Sequence, residues 1–254
     1  MFDLTGKTSL ITGSTRGIGR AIAEQMALYG AKVVVSGRLV DTCKKVADEI
    51  NDAVKKGSGE AAAISCNISN KEDLANLVKE TISQFGQIDV LVGNAAVNLY
   101  LGSMAGISDE VFDKTLRSNV RSYHWLCQMV LPEMVKRKDG VIILVSSISG
   151  LRGSAVLGTY GITKAAVIAL VRNIAVEYGP HNIRANAIVP GLVKTDFSRA
   201  FWENEKFLKE RIANTPLQRI GEPKEIAGAA VFLASEAGSF MTGQSLVIDG
   251  GVMA

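Results

Sequence analysis

The chain of 254 residues carries 28 Lys and Arg against 25 Asp and Glu, a formal net charge of +3, with 47% hydrophobic and 21% charged residues. This is the composition of an ordinary globular protein with one sizeable core, and its cations are dispersed among acids, which argues against a nucleic-acid footprint. Cys43, Cys66 and Cys127 are isolated and the only histidines are His124 and His181, a set that supports neither a disulfide framework nor a metal site.

Met1 to Lys7 lead straight into an apolar run, without the regions of a secretory signal. No uninterrupted apolar stretch reaches the ~18 residues of a membrane span. The expectation is a cytoplasmic protein with no membrane and no nucleic-acid partner.

The first predicted elements are a strand over Thr8 to Thr12, the turn Gly13-Ser14-Thr15-Arg16-Gly17-Ile18-Gly19, and an amphipathic helix from Arg20 to Ala27. That order sets backbone N–H groups and a helix N-terminus against a pyrophosphate. Gly13 permits the sharp turn, Gly17 a close approach, and Gly19 tight packing of helix on strand. Alone, such a pattern is often only a loop. The spacing is GxxxGxG rather than GxGxxG.

Further strands are predicted over Lys32 to Ser36, Ala61 to Ser65, Ile88 to Val92, Val141 to Val145, Ile183 to Val189 and Ser245 to Ile248, giving seven with the first. The clearest later helices are Lys71 to Phe85, Glu110 to Lys136, Tyr160 to Tyr178 and Pro223 to Ala234. Strands alternating with helices predict an α/β fold, a Rossmann-type doubly wound parallel sheet covered on both faces. No linker, repeat or low-complexity segment divides residues 1–254, so one domain is expected.

After the second strand come Gly37 and Arg38, where an NAD enzyme usually presents an Asp or Glu to the ribose 2′-hydroxyl. Arg38, and less directly Arg16, instead offer charge-assisted hydrogen bonds to a 2′-phosphate. NADP(H) is favoured, with NAD(H) as the alternative.

Tyr160 and Lys164 are four residues apart on a predicted helix and so share a face. Only about one tyrosine in a thousand is ionised at neutral pH. A cation about 4 Å away at an effective dielectric of ~20 contributes ~4 kcal/mol, enough to bring the phenol close to working pH. Ser147, at the end of the Val141 to Val145 strand, is placed to hydrogen-bond a substrate oxygen as a proton moves to or from the phenol. Each part alone is common helix-surface or turn chemistry.

Together, Thr12-Gly13-x-x-x-Gly17-x-Gly19, Gly93-Asn94-Ala95-Ala96, Asn119, Ser147, Tyr160-x-x-x-Lys164 and Pro190-Gly191-x-x-x-Thr195 resemble the short-chain dehydrogenase/reductase family over essentially the whole chain. The resemblance implies that Tyr160 is the general acid/base, that Lys164 lowers its pKa and binds the nicotinamide ribose, and that Ser147 orients the substrate oxygen. Asn119 then matches the asparagine that holds a water in a proton relay. Gly13, Ser14, Thr15, Arg16, Gly17, Ile18, Gly19, Arg38, Asn67, Ile68, Asn94, Ala95, Tyr160, Lys164, Pro190, Gly191, Val193 and Thr195 are the implied cofactor contacts.

Two departures stand out. Asn67-Ile68 replaces the family's common Asp-Val against the adenine, and Gly93 replaces an asparagine whose amide braces the central sheet. The variable segment, about residues 192–213, with Asn98 to Leu101 and Leu151 to Gly153, is expected around a mostly apolar pocket mouth. Arg152 reads as a surface or subunit-contact residue, since nothing nearby in sequence makes a binding cluster.

The resulting expectation is NADP(H)-dependent interconversion of a ketone or 3-oxoacyl group and a secondary alcohol by hydride transfer, reduction being favoured. The alternatives are an NAD-dependent alcohol or polyol dehydrogenase, and a nucleotide-sensing protein without turnover. Similar proteins pair long helices and last strands across two-fold axes, which predicts a homotetramer.

Overall fold

The computed structural model describes residues 1–54 and 59–254. Seven strands, β1 (Thr8–Thr12), β2 (Lys32–Gly37), β3 (Glu60–Ser65), β4 (Val90–Gly93), β5 (Gly140–Val145), β6 (Ile183–Pro190) and β7 (Ser245–Ile248), form one sheet. Their order is β3-β2-β1-β4-β5-β6-β7, and every pairing is parallel. The helices are α1 (Gly17–Leu28), α2 (Val40–Ala53), α3 (Lys71–Phe85), α4 (Asp109–Leu116), α5 (Ser122–Arg137), α6 (Gly158–Tyr178), α7 (Arg199–Trp202), α8 (Glu205–Ala213) and α9 (Pro223–Ala234).

Because successive strand side chains point to opposite faces, one sheet feeds two cores. Ile11, Val33, Val35 and Ile143 pack with Ile22 and Met26 of α1, Ile50 of α2 and Val231 of α9. Leu10, Val34 and Ile142 pack on the other face with Leu77 of α3, Leu126 of α5 and Val171 of α6. This explains why the strands read as continuous apolar runs rather than alternating ones.

β1 neighbours both β2 and β4. The connections therefore leave β1 and β4 in opposite directions, which opens a crevice at the carboxyl ends of these strands, the usual ligand position in open α/β sheets.

The structure adjusts several predicted boundaries. The helix expected over Glu110 to Lys136 is α4 and α5 joined through a π turn, Arg117–Arg121, which adds a residue to the turn around Asn119. β4 begins at Val90 rather than Ile88, and the preceding Asp89 carboxylate instead accepts the Thr8 N–H at 2.8 Å. The variable segment contains α7 and α8. α6 begins two residues before Tyr160, and its extension to His181 is long and apolar enough to cross a membrane by length and composition. One side of it, including Val167, Ile168, Val171 and Ile174, nonetheless lies in the core.

Candidate active site

The glycine turn lines the crevice. Gly13 and Gly17 have φ of +64° and +56°. A Cβ on Gly13 would stand 2.9 Å from the Ala95 Cα, and one on Gly19 would overlap the Gly13 carbonyl oxygen and Asn94 Nδ2. The start of α1 is thereby pressed against the end of β4. No side chain caps α1, and no acidic residue occupies its first turn. An uncapped, glycine-lined helix start leaves N–H groups unmatched and carries partial positive charge, so it fits a dinucleotide pyrophosphate.

Not every residue of the turn faces that crevice. Ser14 is buried; its Oγ donates to the Ile11 carbonyl at 2.7 Å and accepts the Ser36 N–H at 2.8 Å, while its own N–H donates to the Ser36 carbonyl. Ser14 thus ties β1 to β2 through both of its donors. Ile18 is partly buried against the first core. Arg16 points toward the variable segment, with Nη1 3.9 Å from the Asp196 carboxylate, which also pairs with Arg199.

The missing amide at Gly93 is made good by Asn94. Its Nδ2 donates to the Thr12 and Gly13 carbonyls at 2.9 and 3.1 Å, and the N–H groups of Asn94 and Ala95 both reach Thr12 Oγ1. The Asn94 side chain therefore braces the β1–β4 seam instead of reaching a ligand.

Around the crevice, Thr15 lies against Gly37, where a Cβ would stand 2.8 Å from Thr15 Cγ2. Arg38 follows, exposed and in no ion pair among the described residues. Asn67 is exposed beyond β3, its Oδ1 accepting from the Ser69 N–H, and Ile68 packs on the second core. Pro190 ends β6, and Gly191 passes so close to Asp249 that a Cβ would meet its Cα at 2.8 Å. Val193 is buried and bridged to Gly221, and Thr195 caps the Asp196–Ser198 turn beside Gly17.

The second cluster forms where β5 meets α6. Ser147 caps the turn Ile148–Gly150, its Oγ accepting the Ser149 N–H at 3.1 Å. Gly150 lets that turn lie on α6, since a Cβ there would stand 2.6 Å from the Lys164 carbonyl carbon. Strand end and helix start meet, which brings Ser147 beside Tyr160.

Lys164 is 2% exposed, with its Nζ donating to the Val145 carbonyl at 2.8 Å and lying 5.5 Å from the centroid of the Tyr160 ring. Burial lowers its pKa to about 7. Tyr160 is also affected chiefly by burial, which pushes its phenol well above the ordinary value, while Ser147 pulls it partly back. The ammonium is hydrogen-bonded to a strand carbonyl.

Asn119 is fully buried in the π turn. Its Oδ1 accepts the Val97 N–H at 2.8 Å, and its Nδ2 donates to the Val97 carbonyl at 2.8 Å and to Thr163 Oγ1 at 3.1 Å. Both amide hydrogens are engaged, so the side chain latches the loop after β4 to α6.

The outer wall is aromatic and cationic. The Phe197 ring lies 6.0 Å from that of Tyr160, Phe201 lies 5.1 Å from Phe207, and the Arg211 guanidinium stacks 5.3 Å from the Phe207 centroid. Burial lowers the pKa of Arg211, and the positive charge of Arg152 lowers it further. Arg152 is thus beside a second cation that sequence spacing did not place there. Neither arginine forms an ion pair among the described residues.

Residues 13–253 match a family described as enoyl-(acyl carrier protein) reductase. The chain is 40% identical over 254 residues to human dehydrogenase/reductase SDR family member 4, covering 98% of this chain and 88% of that protein. A short-chain type dehydrogenase/reductase from Mycobacterium ulcerans superposes with a TM-score of 0.94 at 31% identity, covering 99% and 91% of the two chains. A gluconate 5-dehydrogenase from Burkholderia cenocepacia, in complex with NADP and tartrate, superposes with a TM-score of 0.92 at 29% identity, covering 99% and 97%. With an uncapped glycine cradle beside a Ser, Tyr and Lys cluster, the chain belongs to the short-chain dehydrogenase/reductase family of NAD(P)-dependent oxidoreductases.

Proposed function

We propose that the protein uses NADPH to reduce a ketone or 3-oxoacyl carbonyl to a secondary alcohol. The observation that carries this reading is the gathering of Ser147, Tyr160 and Lys164 at the end of β5, with the Lys164 Nζ 5.5 Å from the Tyr160 ring centroid. A carbonyl becoming an alkoxide needs a proton donor, and a phenol held neutral beside a serine hydroxyl is one.

The nicotinamide, when bound, supplies the hydride. Ser147 holds the substrate oxygen, and Tyr160 gives that oxygen its proton. Lys164, charged beneath the ring, stabilises the phenolate left behind; Asn119 fixes α6 so that the residues stay in register. The start of α1 and the Thr195 segment hold the dinucleotide. Phe197, its ring 6.0 Å from that of Tyr160, adds an apolar wall beside the phenol.

NADP(H) over NAD(H) is supported by Arg38 and by the absence of a carboxylate at Gly37, and the NADP-bound relative is consistent with it. Arg38→Asp exchanges an attractive contact with a 2′-phosphate for a repulsive one. A charge-assisted bond is worth about 1.5 to 3 kcal/mol, so the NADP(H) to NAD(H) ratio of kcat/KM should fall at least roughly tenfold. A wild type that prefers NAD(H), or an unaltered ratio in the variant, contradicts this assignment.

A second reading of the substrate is favoured by the unpaired Arg152 and Arg211. Two like charges side by side raise the affinity for an anion between them, and the relative in complex with tartrate is a gluconate 5-dehydrogenase. On this reading the carbonyl belongs to a polyhydroxy acid. Replacing either arginine by Ala should raise KM about tenfold or more for keto acids and leave neutral ketones unaffected. Equal effects on charged and neutral substrates would return the pocket to the apolar ketone reading.

We read the protein further as a cytoplasmic homotetramer. The exposed apolar Ile162 and Val176 of α6 and Val247 of β7 support contacts between copies. A monomer mass by light scattering at micromolar concentration would contradict the assembly.

A further inference from the structure

A second phenol lies beside the reacting pair. Tyr123, in the first turn of α5, is completely buried, and its hydroxyl has no hydrogen-bond partner among the described residues. Burial pushes its pKa well above the ordinary value. An unpaired buried hydroxyl is destabilising, and phenylalanine would fill the same volume without it. What the side chain does contribute is a ring face, and the Lys164 Nζ lies 5.8 Å from its centroid.

Lys164 needs such a face. Its Nζ is held by the Val145 carbonyl from β5, by the Tyr160 ring on its own helix and by the Tyr123 ring from α5. From the π turn, Asn119 is engaged with Val97 and Thr163, and Ser146 Oγ donates to the Lys164 backbone carbonyl. The titratable groups facing the ammonium are therefore two phenols, both kept neutral by burial. No acidic side chain among the described residues offsets its desolvation. In so dry a place a ring face has its largest effect on a cation.

Gly93 admits the ring. A Cβ at position 93 would stand 3.2 Å from Tyr123 Cδ1 and 2.6 Å from Leu144 Cδ2. Any side chain there requires the Tyr123 ring or Leu144 to move, so Gly93 and Tyr123 are a matched pair across the β4–α5 packing.

We propose that Tyr123 is a positioning residue whose ring face favours the ammonium form of Lys164, with Gly93 providing the space for that ring. The inference rests on the role given to Lys164 above.

The test measures unfolding stability by urea against pH in the free protein. Because the folded pKa of Lys164 lies near 7 and the unfolded one near ~10.4, unfolding takes up a proton in that window, and stability rises with pH across it. Three variants are compared: Tyr123→Phe, Tyr123→Leu, and Tyr123 replaced by a multiply fluorinated phenylalanine. Fluorination keeps the ring shape while removing negative charge from its face.

In Tyr123→Phe the onset of the rise should stay in place, with no loss of stability. In the fluorinated variant the onset should move down by about one pH unit, and the alkaline limb of kcat/KM for NADPH should move with it. Tyr123→Leu should shift at least as far; if it does not fold, the fluorinated variant decides. An unmoved onset in the fluorinated variant overturns the proposal, since packing alone predicts that result. If Lys164→Met leaves the wild-type rise or near-native turnover intact, the failure belongs to the reading of Lys164 instead.

Discussion

Tyr160→Phe is expected to lower kcat for carbonyl reduction by on the order of 10³-fold, within the range of a positioned proton donor. The binding constant for NADPH should stay within about twofold. The substitution removes one oxygen and keeps the ring that packs beside Phe197 and above the Lys164 ammonium. The glycine turn and the start of α1 are untouched, so the two effects separate cleanly. Stopped-flow turnover and fluorescence titration of the cofactor check the pair of values. Near-native turnover in Tyr160→Phe would remove the phenol from the mechanism, and a large loss of cofactor affinity would make its role structural.

The second large effect is on stability and has the opposite sign to its effect on activity. Lys164 is buried with a pKa lowered to about 7 from the ordinary lysine value of 10.5. Below pH 7 the folded protein holds a charged ammonium away from water, at a cost of roughly 4 kcal/mol. Lys164→Met removes that cost but leaves the Val145 carbonyl without its donor, a loss of about 1 to 3 kcal/mol. The net expectation at pH 6 is a gain of about 2 kcal/mol.

The pH dependence follows from linkage. Wild-type stability rises from pH 7 toward ~10.5 as the unfolded chain, which keeps the proton, becomes the more protonated state, whereas the variant lacks this rise. Above pH ~10 the unfolded phenol of Tyr160 ionises before the folded one, because burial raises its pKa, and stability turns downward. The same variant should lose at least roughly a hundredfold in turnover, since the phenolate would form without a neighbouring cation. Urea titrations from pH 6 to 10 on both proteins measure this. A variant less stable than wild type at pH 6 would show that the carbonyl contact outweighs the burial of charge.

The strands and the catalytic spacing were legible because both follow local rules. Apolar runs bounded by turns gave the core strands to within two residues at each end, and one helical turn between Tyr160 and Lys164 required only the helical period. Other features depend on packing between distant segments. The π turn at Asn119 is stabilised by Val97 and Thr163, from another loop and another helix. Arg211 meets Arg152 only after α8 folds across the end of the sheet. The direction of the Lys164 ammonium depends on β5 as well, because its Nζ donates to the Val145 carbonyl. Ser14 and Asn94 match the expected motif by position, yet their side chains close internal hydrogen bonds. α2 was left unread although Cys43, Val46, Ala47 and Ile50 fall at helical spacing along it.

The seam between β1 and β4 joins strands separated by about eighty positions along the chain. During synthesis β1, β2 and β3 emerge together, but the edge of β1 stays open until β4 arrives, and the Asn94 latch on Thr12 and Gly13 closes only then. β1 to β3 without β4 do not complete the nucleotide seat. Ligation consequently acts as a clamp across the late-formed junction: binding to the closed form alone draws the folding equilibrium forward by mass action. Partly assembled chains, by contrast, expose the unpaired β1 edge to proteases and to one another.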